Sequence, residues 1–144
     1  MDIKMEEIIN KIKAEIDRYD QVYNPGATSE QISKVNDKMG ELYKVKIPGD
    51  YERFLMLTNG IEFNGEILYG IGLSHDLLKM NEIHREGTDI PEKIILIGEN
   101  DLSVFSYDKN RDVYSAHDRM NFNRKEDYAG FINLLDEMAQ RALN

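Results

Sequence analysis

Residues 61–69 read Ile61-Glu62-Phe63-Asn64-Gly65-Glu66-Ile67-Leu68-Tyr69, with two apolar runs on either side of Asn-Gly. Asn-Gly between two such runs is the strongest short-range signal for a β-hairpin. Before this stretch the apolar residues recur at helical spacing, and after it they come in short runs typical of strands. The predicted hairpin therefore marks the change from helices to strands and decides the fold class.

Three helices are predicted before the hairpin, because apolar residues recur there at steps of three and four. The predicted bounds are residues 2–20, residues 29–41 and, for the third helix, from Pro48 or Gly49 to Asn59-Gly60. The first helix is expected to bury a stripe made of Met5, Ile8, Ile9, Ile12, Ile16 and Tyr19. Thr28 and Gln31 have the spacing of a capping box, which favours a helix start at this point.

Strands are predicted for most of the chain after the hairpin. Residues 74–86 fit either a helix or an irregular excursion, and Tyr128 lies in an amphipathic pattern that predicts a last helix. Between them, three runs predict strands at 93–97, 102–107 and 113–117; the first has no polar face, which indicates a central strand buried on both sides. We therefore expect a single α+β domain over residues 1–144, with an antiparallel-rich sheet of about five to six strands packed with N-terminal helices and a C-terminal helix.

Composition excludes several classes of function. The 144 residues include no cysteine, which excludes a disulfide scaffold, a cysteine-ligated metal site and a thiol nucleophile. No apolar run approaches 18 residues and no secretion signal precedes the first helix, so we expect a cytoplasmic protein that neither spans nor binds a membrane. The formal net charge of −9 opposes binding to nucleic acid and suits a basic partner, although solubility alone also explains an acidic surface.

The sequence presents no motif for catalysis, a metal or a cofactor. His75, His84 and His117 lack metal-ligand spacing, and the glycines fit no phosphate-binding loop. His75 and His117 are expected in surface turns, and the strand serines on an outward face. Among the carboxylates, Glu99 and Asp101 are the candidates for an acid/base pair, because they flank Asn100 in a tight turn between two predicted strands. We expect no catalytic residue, no metal and no cofactor, which favours a binding module over an enzyme.

A family resemblance is carried by residues 25–70. The matching segments are Gly26-Ala27-Thr28, Lys46-Ile47-Pro48-Gly49-Asp50-Tyr51-Glu52-Arg53-Phe54-Leu55, Thr58-Asn59-Gly60 and Leu68-Tyr69-Gly70. In this order and spacing they resemble the SUKH superfamily, the Smi/Knr-type domain. The similarity extends to about residue 140 and includes Asn121-Phe122-Asn123 before the last helix. The motif positions expected to be structural are Gly26, Pro48, Tyr51, Phe54, Leu55, Asn59, Gly60, Tyr69 and Gly70.

The resemblance implies a function in protein binding. Bacterial members of the superfamily are chiefly immunity proteins that neutralise a cognate toxin, often a nuclease, inside the producing cell. We therefore expect a basic toxin domain as the partner. The alternative that fungal relatives imply is a regulatory scaffold that docks several cellular proteins. A third reading, an enzyme or small-ligand binder, needs a deep pocket that holds His75, His117 or the Glu99–Asp101 pair.

Partner contacts are expected at the hairpin and at the turn after the central strand, because loops commonly carry contacts. The residues predicted there are Glu62, Glu66, Glu99, Asn100 and Asp101. Tyr107 and Tyr114 are predicted either as aromatic anchors of the interface or as core residues. The sequence leaves the oligomeric state open.

Overall fold

The computed structural model describes residues 3–144, so the predicted helix start at residue 2 lies outside the described residues. Within this range the chain forms five helices and one six-stranded sheet, and the predicted α+β fold is confirmed. The helices are α1 (Ile3–Arg18), α2 (Ser29–Tyr43), α3 (Gly49–Leu57), α4 (Leu77–Gly87) and α5 (Phe131–Leu143). The strands are β1 (Ile61–Phe63), β2 (Glu66–Leu68), β3 (Ile94–Glu99), β4 (Ser103–Asp108), β5 (Val113–Asp118) and β6 (Arg124–Tyr128).

The sheet is an antiparallel meander in which every strand pairs with the next one along the chain. Phe131, at the start of α5, lies at the centre of the core on one face of this sheet. Its ring centroid is 5.3 Å from that of Tyr51, 5.4 Å from that of Phe54 and 5.5 Å from that of Tyr114. Through these contacts α3, α5 and the sheet share one apolar core, and α1 packs against α5 on the same side.

The helix predictions before the hairpin are confirmed with one correction. The α1 stripe from Met5 to Ile16 is buried, and the capping box at the start of α2 is formed in both directions between Thr28 and Gln31. Tyr19 was expected in the buried stripe, and this is wrong. It follows the last residue of α1 and is 59% exposed, because the helix ends before the next turn would bring it to the core.

The ambiguous residues 74–86 form most of α4, which begins at the N-cap Asp76. Asn81, in the middle of this helix, is fully buried beside β3. Its side-chain oxygen accepts the Leu96 N–H at 2.8 Å, and its Nδ2 donates to the Leu96 carbonyl at 2.8 Å. Because β2 is only three residues long, α4 supplies the hydrogen bonds that a longer β2 would give to β3.

Strand β6 was not predicted, and the helix start at Tyr128 is wrong. Tyr128 is the last residue of β6, and α5 begins at Phe131. The strand escapes detection because its first four residues, Arg124 to Asp127, are charged and exposed. An edge strand of this kind lacks the apolar alternation from which strands are predicted.

The motif residues that carry the resemblance hold α3 to the hairpin and to β3. The Tyr51 hydroxyl is fully buried and lies 2.6 Å from the Tyr69 carbonyl and 3.0 Å from the Ile97 carbonyl, so it can donate to either. The Asn59 side chain exchanges two hydrogen bonds with the backbone of Ile71, at 2.7 and 2.9 Å. At Gly26 a Cβ atom would lie 1.9 Å from the Met56 carbonyl oxygen, so only glycine fits this close approach.

Candidate functional site

Three of the predicted contact residues, Glu99, Asn100 and Asp101, lie at one end of the sheet, where the β3–β4 turn and the β5–β6 turn meet. The Arg119 N–H donates to the Leu102 carbonyl at 3.1 Å, and the Arg119 guanidinium donates to the Asn100 carbonyl at 2.7 Å. We call the surface formed by Asn100, Asp101, Leu102, Arg119 and Met120 the turn surface. It contains two of the predicted contact residues, Asn100 and Asp101, and three that the sequence did not single out.

Two apolar side chains stand out on the turn surface. Leu102 is 75% exposed and Met120 is 93% exposed, and they come from the two turns that Arg119 joins. Leu102 was predicted to be the first residue of a strand, and Met120 was not among the predicted contact residues. The available signal was the position of Met120 among the polar residues Asp118 to Asn121, where a turn gives an apolar side chain no core to enter. Neighbouring exposed apolar side chains at a rim of charged groups are typical of a contact surface.

Glu66 was expected to be an exposed contact residue, and this is wrong. It is buried, and its carboxylate accepts hydrogen bonds from Arg141 of α5 at 3.0 and 3.2 Å. The Asn100 side-chain amide lies 3.3 Å from the same carboxylate. Glu66 therefore ties the hairpin to the last helix and to the turn surface, and it does not face solvent.

Tyr107 and Tyr114 are core residues, so the reading of these two as exposed anchors is wrong. Both are buried, and their ring centroids lie 5.1 Å apart. The Tyr107 hydroxyl donates to Asp112 at 2.7 Å, and burial together with this carboxylate raises the pKa of Tyr107 to about 12. Tyr114 packs against Phe131, and burial raises its pKa well above the usual range. The two residues are register partners on β4 and β5, so their side chains lie on the same side of the sheet, and Tyr114 places that side against the core.

Glu99 is also buried, which corrects its prediction as an exposed contact. Tyr69 and Arg119 each donate to its carboxylate at 2.6 Å, and His84 Nε2 lies 3.4 Å away. Burial by itself would raise the pKa of Glu99, but the hydrogen bonds from His84, Tyr69 and Arg119 outweigh it and lower the pKa to about 2. A carboxylate with this pKa is a poor proton donor and a weak base at neutral pH, so it does not suit acid/base catalysis with Asp101.

His117 and the strand serines are buried, so their expected exposure is wrong. The Ser106 hydroxyl lies 2.7 Å from His117 Nε2, and the carbonyl of Phe122 lies 3.3 Å from Nδ1. Burial lowers the pKa of His117, and its ring stacks on Phe122 at 4.0 Å. Hydroxyl and imidazole have the geometry of a nucleophile and its base, but Ser106 is only 1% exposed and a substrate has no access to it.

Glu62 is exposed as predicted, but it lies away from the turn surface. It is the middle residue of β1, and His75 Nδ1 lies 3.2 Å from its carboxylate. His75 is half-buried in the segment before α4. Glu62 therefore belongs to a second surface, on the outer edge of β1.

Metal ligation and membrane insertion find no support in the described residues. Between residues 3 and 144, no three histidine or carboxylate side chains lie together so as to hold a metal ion. None of the helices in the same range has the length and apolar character needed to cross a membrane.

In the comparisons with known proteins, no family model matches the chain and no curated protein matches it in sequence.

Proposed function

We propose that this chain is a non-catalytic protein-binding module of the SUKH type, an immunity protein that binds a basic toxin domain in the cytoplasm of the producing cell. The observation that carries the proposal is the turn surface, where Leu102 and Met120 are both exposed on turns that the hydrogen bond from Arg119 to Leu102 joins. Methionine is enriched in protein interfaces, and truncating an apolar side chain at the centre of a contact removes part of the binding energy.

The resemblance supports the proposal because its motif residues have structural roles that explain their spacing. Tyr51 bonds to the carbonyls of Tyr69 and Ile97, and Asn59 bonds to the backbone of Ile71. These contacts link the helix, the residues that end it and the strand end, which are three of the four segments of the motif. The elements follow the order of three helices, a hairpin, α4, four more strands of the meander and a last helix, which is consistent with the α+β fold that the resemblance implies.

The state of the reactive side chains supports a role without catalysis. The Ser106–His117 pair is enclosed by Phe122, and Glu99 is held as a carboxylate by Tyr69 and Arg119. Each of these groups is hydrogen-bonded within the fold. His117 lines an open cleft of about 430 Å³ beside Phe122, but Ser106 is not part of that lining and is 1% exposed. Such arrangements stabilise a fold, whereas catalytic groups need access to the reacting atoms.

The excess of acidic residues supports a basic partner. With 27 acidic against 18 basic residues, the chain produces a negative field that attracts a cationic domain and speeds their encounter. A toxin that acts on nucleic acid has a basic surface for its phosphate substrate, which an acidic inhibitor can cover.

The test starts with affinity capture from the source organism, with this chain as bait. A captured basic toxin domain is then expressed with the chain, and bacterial growth is measured. We expect wild-type chain to restore growth and the double variant Leu102→Ala/Met120→Ala to weaken toxin binding by about tenfold or more.

A matched control uses the same residue types elsewhere on the surface. Leu42 and Met56 are 53% and 54% exposed on α2 and α3, so Leu42→Ala/Met56→Ala removes the same atoms away from the turn surface. We expect this control to restore growth as well as wild type does. Capture of many housekeeping proteins and no toxin would instead support the scaffold alternative and contradict immunity.

A further inference from the structure

The outer edge of β1 has backbone groups that the sheet does not use. β1 is the first strand in the sheet order, and Phe63 pairs with Glu66 across the two-residue turn. Residues that flank such a turn form a hydrogen-bonded pair, and the next pair, Glu62 with Ile67, does not. The N–H and C=O of Glu62 therefore point away from β2, toward the outside of the sheet.

A cavity lies on the α1 side of this edge. Its volume is about 180 Å³, and its lining comes from α1, from the segment after it and from β1. The lining is mixed, with Asn24, Thr58 and Glu62 among its polar residues. The apolar residues are Ile9, Ile12, Ile16, Val22 and Ile61. Lys13 also lines the cavity, but its ammonium donates to the Leu57 carbonyl and lies 4.7 Å from the centre of the Tyr23 ring. The space is smaller than a typical small-molecule site and suits a single apolar side chain.

A second cavity of about 170 Å³ also adjoins β1, and its lining includes Ile67 of β2 and the segment before α4. Its polar lining includes Asn24, Asn59, Glu62, Ser74 and His75. The Glu62 carboxylate is the charged acceptor in this lining, and its contact is the imidazole of His75 at 3.2 Å. The two cavities share Asn24, Gly60, Ile61 and Glu62, so both adjoin the same strand edge.

We propose that the edge of β1 binds an extended basic segment of a partner protein as an added strand. The segment places a lysine or arginine against Glu62 and an apolar neighbour in the cavity beside α1. This inference concerns a different surface from the turn surface, and it stands or fails independently of the immunity function.

The alternation of basic and apolar residues in the bound segment follows from strand geometry. In an added strand, the residue opposite Glu62 points to the same side of the sheet as Glu62, and its neighbours point to the other side. The side of Glu62 is polar and acidic, and the side of Ile61 is apolar. An apolar–basic–apolar segment therefore matches the alternation of Ile61, Glu62 and Phe63 along β1, while the Glu62 N–H and C=O bond to its backbone.

The charge of the edge favours a basic segment over a second copy of this chain. A second β1 paired with the first in the antiparallel sense would bring the two Glu62 carboxylates to the same edge, and like charges opposite each other destabilise strand pairing. A lysine or arginine opposite Glu62 stabilises the strand pairing instead, since it forms an ion pair with Glu62 in place of the contact with His75.

The probe for this proposal is a blocked hexapeptide of alternating valine and lysine, titrated into the 15N-labelled chain and followed by NMR. We expect saturable shifts at Glu62, Val22 and His75, and slower hydrogen exchange of the Glu62 amide. Glu62→Lys is expected to weaken binding by about tenfold or more. Glu126→Lys, which reverses an exposed carboxylate on the other edge strand, is expected to bind as wild type does.

Two further peptides test the charge and the backbone hydrogen bonds separately. A peptide of alternating valine and glutamate, and a valine–lysine peptide with methylated backbone nitrogens, are both expected to bind more weakly, because the first reverses the charge and the second removes strand hydrogen bonds. The proposal is overturned if the valine–lysine peptide gives no saturable shifts at millimolar concentration. It is also overturned if Glu62→Lys binds like Glu126→Lys, or if sedimentation shows that a second copy occupies this edge.

Discussion

Glu99 is a buried carboxylate whose hydrogen bonds join parts of the chain that are distant in sequence. Tyr69 donates to it from the segment after β2, and Arg119 donates from the β5–β6 turn. The usual pKa of the carboxyl is 4.5, and these partners lower it to about 2 in the folded protein. The folded state therefore gains stability from Glu99 above pH 4.5, and it loses that gain as the pH falls toward 2.

Glu99→Gln tests this role through the pH dependence of stability. We expect the variant to reduce the free energy of unfolding by about 1–3 kcal/mol at pH 7, because hydrogen bonds to a charged group are lost. The deficit should narrow from pH 4.5 toward pH 2, since the wild-type carboxylate becomes protonated. Urea unfolding at several pH values measures it, with Asp101→Asn as an exposed control. An equal deficit at pH 3 and pH 7 would contradict the assigned pKa.

Tyr51 offers a second test at the residue scale. Tyr51→Phe removes the hydroxyl that serves the carbonyls of Tyr69 and Ile97, both of which are then left without this donor in the core. We expect a loss of about 1–3 kcal/mol in the free energy of unfolding. Tyr23→Phe makes the same chemical change on an exposed ring and should cost close to nothing. Equal stability of the two variants would show that the buried hydroxyl contributes little.

The burial of individual residues was the part that the sequence predicted least well. Glu66 and Glu99 are charged, and nothing local in the sequence shows that Arg141 and Arg119 lie beside them. Such pairs are distant along the chain, and they form only when the sheet brings the turns and the last helix together. The sequence could therefore point to Asn100 and Asp101, which lie on the proposed contact surface, but it could not distinguish the exposed residues around them from the buried ones.

The hairpin of β1 and β2 is the element whose sequence signal is strongest. Asn64 has a φ angle of 51° and Gly65 has one of 81°, which are the positive angles of the tight turn that Asn-Gly favours. A Cβ atom at Gly65 would meet nothing within 4 Å, so an alanine there is opposed by its backbone conformation alone.

Gly65→Ala is therefore expected to cost about 1–2 kcal/mol of stability, measured by thermal or urea unfolding. Gly87 is a matched control because a Cβ atom there also meets nothing within 4 Å, and it lies at the end of α4. We expect Gly87→Ala to be neutral or slightly stabilising. If both alanines have the same effect, the turn conformation is not what selects glycine at position 65.

One element that the sequence missed and one that it left ambiguous have a common cause. β6 is an edge strand with an exposed charged run, and α4 has only Leu77 and Asn81 as fully buried residues. Each packs through a small part of its surface. Neither therefore shows the helical periodicity that identified α1 and α2, or the continuous apolar run that identified β3. Position in the sheet and backbone hydrogen bonding determine these two elements, and both depend on the rest of the fold.

At the scale of the whole molecule, the fold class followed from the order of patterns along the chain. Helical periodicity before Asn59-Gly60, the hairpin, and three apolar runs after it leave an antiparallel α+β domain as the simplest arrangement. The two surfaces depend on how turns meet in space, and this could not be read from spacing. Leu102 and Met120 are 18 residues apart in sequence, and their turns meet through the hydrogen bond from Arg119 to Leu102.

The net charge of −9 leads to a prediction about salt. If the acidic surface steers a basic toxin domain, raising the salt concentration should slow association more than it speeds dissociation. Stopped-flow or surface-binding kinetics at several ionic strengths separate the two rates. An association rate that does not change with salt would indicate that the acidic charge serves solubility alone.

The most direct test of the central claim is isothermal titration calorimetry of the wild-type chain with the captured toxin domain. We predict one-to-one binding with a nanomolar or lower Kd. Leu102→Ala/Met120→Ala should weaken the binding, and Leu42→Ala/Met56→Ala should leave it unchanged. No heat of binding at micromolar concentrations would contradict the immunity function, and an equal loss in both double variants would contradict the assignment of the turn surface as the contact site.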